Sequence, residues 1–231
     1  ARGLVRDTTF VHKFGAVPQM SINTTGTVWD INDTLYPWSA FNTPGVLNIP
    51  AVNVADNGNV ITVLGLDSNY NEISENFTVS STVTTTGLKT FARVVRAFDT
   101  TGTNVANINI RRDTTTVARL TAGKGQTLMA VYTIPAGYTG YLMQGTASIQ
   151  VGGDATGEMY VRYSGQTSFR VGHTFEVEGA GGQYFYPFAV PIPIPEKSDI
   201  DVRASMRSNN ARMTAAFDVI LVKNDGIGLR E

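Results

Sequence analysis

The chain contains no cysteine, only two histidines, and nearly balanced charge. Without cysteine there are no disulfide bonds and no thiolate metal sites, so the sequence leaves the redox compartment open. Lys and Arg number 18 against 19 Asp and Glu, which gives a formal net charge of −1. Nucleic acid attracts clustered basic side chains. The composition therefore predicts no nucleic-acid partner.

Long apolar runs are also missing. No stretch approaches the roughly 20 apolar residues that span a bilayer. The N-terminal region lacks the apolar middle of a signal peptide. We therefore expect a soluble chain without a membrane partner.

The chain is instead rich in short stretches in which apolar and polar residues alternate. Residues 128–134 are aromatic and β-branched, and Pro135 and Gly137 then break the pattern as a turn does. Similar alternation recurs in residues 158–163, 169–177 and 199–206, with the period of two that is typical of half-buried strands. In the stretch after Gly137, the side chains predicted to share the core face are Tyr141, Met143, Ala147, Ile149 and Val151.

This pattern predicts an all-β fold of one or two antiparallel β-sandwich or jelly-roll domains with an extended N-terminal arm. Residues 1–19 are predicted to be the arm, 20–115 a β-sandwich domain, and 116–231 a jelly-roll-like β-sandwich domain with a short C-terminal tail. The predicted boundary lies within the Thr-rich stretch at 113–116. Each half has about 110 residues, a normal size for a sandwich.

Two segments carry candidate subunit contacts. The arm is either a solvated tail or a segment that docks on an adjacent subunit. From Pro187 to Pro195, prolines at alternate positions cannot donate to a ladder, which predicts an edge strand or an extended crossing. The apolar side chains proposed as contacts are Leu4, Val5, Phe10, Phe14, Phe188, Val190, Ile192 and Ile194.

The sequence contains no convincing set of metal-binding or phosphate-binding residues. His173 shares parity with apolar residues, which predicts a hydrogen-bonded core or interface residue, and His12 is far away in sequence. Asp67 opens a calcium-like stretch, but Glu72 stands where the loop needs glycine, so a hairpin tip is favoured. Residues 123–127 precede a strand rather than the helix of a phosphate loop. No metal site and no cofactor are expected.

Two pairs of carboxylates have the spacing of a catalytic pair. Glu176 with Glu178, and Asp199 with Asp201, each lie two apart on a predicted strand, near the separation used by glycosidases. Any polar strand face with two acids has this spacing. We therefore expect no enzyme and no catalytic residues.

Three stretches carry a family resemblance: residues 63–75 (VLGLDSNYNEISE), 90–98 (TFARVVRAF) and 122–137 (AGKGQTLMAVYTIPAG). They resemble virion structural proteins of tailed bacteriophages, particularly those of marine and cyanobacterial phages, and the likeness extends from about His12 to Val222. The resemblance implies a virion location and a non-enzymatic role, as a capsid-decorating (cement) protein or as part of the tail, collar or fibre. The implied partners are other virion proteins, namely major capsid or tail proteins, and further copies in a homo-oligomer.

Two alternatives stay open. The first is a carbohydrate- or receptor-binding module that stacks a host surface glycan on Tyr138, Tyr141, Tyr184 and Tyr186. The second is a depolymerase that uses carboxylates such as Glu176 or Asp201.

Overall fold

Strands account for almost all of the regular structure. The computed structural model describes residues 6–31, 33–179 and 182–224. These residues form sixteen strands and two short 3-10 helices, Trp38–Phe41 and Val54–Asp56. The prediction of an all-β protein is confirmed. Among the described residues, no helix has the length and apolar character needed to cross a membrane.

The strands, numbered in chain order, are β1 (Thr8–Met20), β2 (Thr25–Thr27), β3 (Gly45–Ile49), β4 (Val60–Leu66), β5 (Glu72–Thr78), β6 (Thr85–Phe91), β7 (Arg93–Asp99), β8 (Ile108–Arg112), β9 (Thr115–Leu120), β10 (Val131–Thr133), β11 (Tyr138–Ile149), β12 (Asp154–Arg162), β13 (Arg170–Val177), β14 (Gln183–Ile194), β15 (Asp199–Ser208) and β16 (Ala211–Lys223).

The chain divides into two compact units. The first unit joins Ala1–Leu35 to Ala130–Glu231, and the second is Tyr36–Met129. The sequence-based boundary at residues 115 and 116 lies instead inside β9, in a hairpin where Arg112 pairs with Thr115. A polar turn and a polar linker have the same composition, so the Thr-rich stretch could not tell them apart.

The predicted N-terminal arm also differs from the structure. From Thr8 onward it forms β1, which pairs with β16 as far as Met20. Lys13, Ala16 and Val17 are buried in this strand. Burial therefore does not follow a simple alternation, and this explains why the sequence showed no clear period there.

The first unit contains two antiparallel sheets. One sheet has the order β1-β16-β11-β14, and the other has the order β10-β15-β12-β13 with β2 also paired to β15. The strands of this unit can be numbered 1 to 8 in chain order, with β2 and β10 counted together as strand 2. The two sheets then have the spatial orders 1-8-3-6 and 2-7-4-5. This is the strand order of a jelly roll.

The second unit interrupts one strand of this jelly roll. Val28 N–H donates to Val202 O (2.8 Å), Ala130 N–H donates to Val28 O (2.9 Å), and Val202 N–H donates to Ala130 O (3.1 Å). The chain therefore leaves the strand after Val28 and rejoins it at Ala130. Its two halves are β2 and β10.

Alternate residues of the jelly-roll strands fill the core. In β16 the buried apolar side chains are Ala211, Met213, Ala215, Phe217, Val219 and Leu221; in β15 they are Ile200, Val202, Ala204 and Met206, which share one face as the sequence predicted. β11 corrects one expectation. A β-bulge between Leu142 and Gln144 changes the phase, so that Leu142 is buried and neither Tyr141 nor Met143 is.

The second unit has its own core between two sheets, with the orders β6-β3-β8-β9 and β5-β4-β7. Its fully buried side chains include Leu47, Ile49, Ile61, Phe77, Phe91, Ile108, Ile110 and Leu120.

Candidate interaction surfaces

The first jelly-roll sheet presents a broad outward face, which we name the β1–β14 face. Side chains alternate along a strand, so the residues between the buried ones of β16 point outward. The cross-strand register aligns these outward residues in rows across β1, β16, β11 and β14. Three adjacent rows define the face: the Phe10 row (Phe10, Ile220, Tyr141, Pro193), the Asp218 row (His12, Asp218, Gln144, Pro187) and the Phe14 row (Phe14, Ala216, Thr146, Phe185).

The central row is polar and internally satisfied. Asp218 accepts a hydrogen bond from His12 Nδ1 on one neighbouring strand (2.5 Å) and from Gln144 Nε2 on the other (2.6 Å). The Asp218 residue is only 8% exposed. Because both carboxylate oxygens are already bonded, covering this row would remove little water from the acid.

The two outer rows are mainly apolar and are open to solvent. Phe185 is 62% exposed and Phe10 is 39% exposed, and the side chains of Ile220, Tyr141 and Phe14 are partly exposed. Scattered single apolar residues are normal on a surface. A contiguous exposed apolar patch, such as these two rows form, instead marks a site of interaction.

The edge of this face at β14 is protected against strand addition. β14 is the last strand of the sheet, as the sequence predicted, and the register places Pro193 opposite Tyr141 and Pro187 opposite Gln144. Proline has no N–H to offer a neighbouring strand. Contacts on this side of the sheet therefore depend on side chains more than on backbone pairing.

A second surface lies where the end strands of the two sheets, β13 and β14, approach each other. Five rings form an aromatic cluster here: His173, Phe175, Tyr184, Tyr186 and Phe188. The ring centroids of Phe175 and Tyr184 are 4.5 Å apart, and those of His173 and Tyr186 are 5.1 Å apart. Beneath the cluster is a cavity of about 10 Å³, which has room for about one water molecule.

His173 and Tyr184 form a polar pair inside this cluster. His173 Nε2 and the Tyr184 hydroxyl are hydrogen-bonded, in line with the predicted hydrogen-bonded histidine. Burial lowers the pKa of His173 below its ordinary value. Burial, and secondarily the nearby Tyr186, raises the pKa of Tyr184. Both groups are therefore held in their neutral forms at neutral pH.

The carboxylates of β15 are engaged in ion pairs. Asp199 accepts from Arg162 Nη2 (2.5 Å) and Thr133 Oγ1 (2.6 Å). Asp201, which is fully buried, accepts from Arg203 Nε (2.9 Å) and Thr27 Oγ1 (2.8 Å). The Phe169 ring lies 4.7 Å from the Arg162 guanidinium carbon and 4.9 Å from that of Arg203.

The other candidate chemical groups are also held in local contacts. Glu176 pairs with Arg207 (2.6 Å) at the surface. Asp67 Oδ1 accepts from the backbone N–H of Asn69 (2.8 Å) and Asn71 (2.9 Å), the arrangement of a hairpin tip. Within residues 6–31, 33–179 and 182–224, no group of three or more His, Asp or Glu side chains could hold a metal ion.

The residues that were predicted to be subunit contacts lie in different parts of the structure. Phe10 and Phe14 lie on the β1–β14 face, while Phe188 belongs to the aromatic cluster and Val190 is 80% exposed. Ile192 is partly exposed, but the structure places Ile194 in the core at 1% exposure, where it contacts its own subunit. Leu4 and Val5 lie outside the described residues.

Sequence reasoning missed how the rows are composed. Alternation within one strand separates inward from outward residues, but a row takes its members from four strands whose register depends on the fold. The proposed glycan platform also divides, because Tyr184 and Tyr186 lie in the aromatic cluster and Tyr141 lies in the Phe10 row.

No family model and no curated protein matches the chain. It is similar to the cowpea mosaic virus top component, a naturally occurring empty particle, at 9% identity over 75% of this chain and 80% of that chain, with a TM-score of 0.25. It is also similar to infectious bursal disease virus Gt strain (12% identity, 96% and 74% covered, TM-score 0.26) and to the VP2 subviral particle of that virus (10% identity, 97% and 74% covered, TM-score 0.26). Such low scores carry no argument about function.

Proposed function

We propose that the chain is a non-enzymatic structural component of a tailed-phage virion, either a capsid-decorating protein or a part of the tail, collar or fibre. The observation that supports this most directly is the β1–β14 face, whose two outer rows are mainly apolar and cross four strands. The sequence resemblance to virion proteins of tailed phages supports the same role. A surface of this kind is typical of protein contacts rather than of a reaction centre.

The protected edge at β14 suits a protein that assembles in many copies. Repeated subunits need defined contact patches, and an unprotected sheet edge would let copies pair without limit. Pro187, Pro191 and Pro193 remove three backbone donors from β14. Its outer neighbour is therefore selected by side chains, which can discriminate between partners.

The proposal of a non-enzymatic role is supported by the ion pairs that the candidate catalytic acids form. Asp199 and Asp201 are neutralised by Arg162 and Arg203 in buried pairs. If the chain were a depolymerase, Glu176→Gln or Asp201→Asn would abolish polysaccharide cleavage by the purified protein. We expect no cleavage activity that either substitution removes.

Mass spectrometry and reconstruction of purified particles test the virion role. We expect the chain at a fixed copy number in washed particles and at an ordered position in the reconstruction. A decorating protein should rebind stripped capsids and raise their heat resistance, whereas a tail component should co-purify with tail fragments. Absence of the chain from washed particles contradicts the proposal.

A second candidate function is favoured by one observation, the aromatic cluster. Tyr186 is 45% exposed there and lies close to His173, so a ring face and polar groups meet at one site. A sugar could stack on Tyr186 and hydrogen-bond beside it. Binding on a glycan array that Tyr186→Ala abolishes and Tyr138→Ala preserves would support this function.

A further inference from the structure

The β1–β14 face has an arrangement that can match itself. Each of its three rows crosses the sheet in the order β1, β16, β11, β14. The Asp218 row is polar, and the Phe10 and Phe14 rows on either side are mainly apolar. A partner with the same three rows at the same spacing would place apolar rows on apolar rows and the polar row on the polar row.

We propose that this face is covered by the same face of a second copy, related by a twofold axis parallel to the strands and midway between β16 and β11. This axis exchanges β1 with β14 and β16 with β11, and it keeps each row above itself. The interface is therefore isologous, with every contact made twice.

The contacts that result are compatible in size and polarity. In the Phe10 row, Ile220 meets Tyr141 of the second copy. In the Phe14 row, Phe14 meets Phe185 of the second copy. In the polar row, Asp218 meets Gln144 of the second copy, so an acid faces an amide.

The charge on the face selects this axis over the other simple one. A twofold axis perpendicular to the strands, along the polar row, would place Asp218 directly on Asp218 of the second copy. Two carboxylates brought together disfavour their charged forms. The axis parallel to the strands keeps these acids apart, and each stays bonded to His12 and Gln144 of its own copy.

The area of the face sets how tightly two copies can bind. Strands are spaced about 4.8 Å apart and outward residues about 6.6 Å apart along a strand, so four strands and three rows cover roughly 380 Å². Two copies would together bury about 760 Å², which is below the range for stable interfaces, so the proposed dimer is a weak and reversible one. Two sheets packed in this way would also keep their strands within about 30° of each other, as in β-sandwiches.

This inference goes beyond the proposed function, because the purified full chain tests it without any particle. Analytical ultracentrifugation at about 1–100 μM should show a monomer–dimer equilibrium. Phe185→Asp should raise the dimer dissociation constant about 100-fold, since a twofold interface loses the contact twice. The matched control is Leu88→Asp, which changes a 91% exposed apolar residue of the second unit and should leave dimerisation unchanged.

Introduced cysteines test the axis in a chain that has none of its own. Positions 14 and 185 lie three strand spacings apart in one copy, about 14 Å. Under the proposed axis they face each other across the interface, at the spacing of about 10 Å between packed sheets, which exceeds the roughly 7 Å limit between the Cα atoms of a direct disulfide. The double variant Phe14→Cys with Phe185→Cys should therefore give a covalent dimer with a bifunctional thiol reagent that spans about 10 Å, and each single variant should not.

Several outcomes overturn the inference. These are a chain that stays monomeric at about 100 μM, a dimer that Phe185→Asp does not weaken, and cross-linking of Phe10→Cys with Phe14→Cys in place of the predicted pair. A monomer that binds a different virion protein through Phe185 also overturns it. A monomeric chain that is nevertheless found in washed particles would leave the proposed function standing while this inference fails.

Discussion

Replacement of Arg203 by methionine should destabilise the jelly roll strongly. Arg203 Nε lies 2.9 Å from Asp201 Oδ2, and Asp201 is fully buried. The Arg203 guanidinium carbon also lies 4.2 Å from the centroid of the Tyr160 ring. Methionine keeps an apolar side chain of similar length against this ring. Arg203→Met therefore mainly removes the positive charge that neutralises Asp201.

The expected magnitude follows from the burial of the acid. Removal of one partner of a buried ion pair usually costs about 3–5 kcal/mol, because the remaining charge stays buried without compensation. For a protein of this size, about 1 kcal/mol lowers the melting temperature by roughly 2–4 °C. Arg203→Met should therefore lower the melting temperature by about 6–20 °C.

Urea unfolding and calorimetry measure this effect, and β15 supplies the matched control. Arg207 makes a similar pair with Glu176, but both side chains are 49% exposed, so Arg207→Met should cost less than about 1 kcal/mol. The double variant Asp201→Asn with Arg203→Met should recover much of the lost stability, because no charge remains buried. Equal losses from Arg203→Met and Arg207→Met would refute the reasoning.

Three further predictions follow from close packing, from titration and from the sheet edge. A Cβ at Gly15 would lie 2.1 Å from a backbone oxygen, so Gly15→Ala should lower the free energy of unfolding, measured in urea, by more than about 1–3 kcal/mol. At Gly145 an added Cβ would meet no atom closer than 4.0 Å, so Gly145→Ala should be nearly neutral. Equal effects of the two substitutions would contradict this. Because burial lowers the pKa of His173 below 6.5, the unfolded chain binds a proton there that the native chain does not. Stability should thus fall as pH drops below about 6.5, and His173→Gln should flatten that part of the profile; an unchanged profile contradicts this. Pro193→Thr restores a donor to the edge strand and should increase aggregation measured by light scattering, while an unchanged signal would show that this proline does not protect the edge.

The β class and several strands could be predicted from the sequence because they depend on local alternation. Ile200, Val202, Ala204 and Met206 share the core face of β15, as their spacing indicated. The edge position of β14 could likewise be predicted, because proline lacks the backbone N–H donor that an inner strand needs. Such inferences need only the chemistry of one segment.

Features that depend on distant segments could not be predicted. The bulge at Met143 reverses the faces of the residues that precede it in β11, while Ala147 and Ile149 stay in the core as predicted. A single inserted residue leaves no mark in composition. Asp199 was a candidate catalytic acid in the sequence because its partner Arg162 comes from another strand. Asp201 pairs with Arg203 of its own strand, but its burial depends on the whole fold and could not be predicted.

The domain boundary also depends on segments that are distant in sequence. β2 and β10 have three residues each, too few for a clear period, yet they continue one strand because Val28 and Ala130 are hydrogen-bonded. Loop-closure entropy grows slowly with length, and an inserted unit with its own core adds little strain to a strand whose ends already meet. The interrupted strand belongs to the sheet that contains β15, whereas the β1–β14 face belongs to the other sheet. The insertion therefore interrupts a strand of one sheet, while the residues of the proposed contact face lie on the strands of the other sheet.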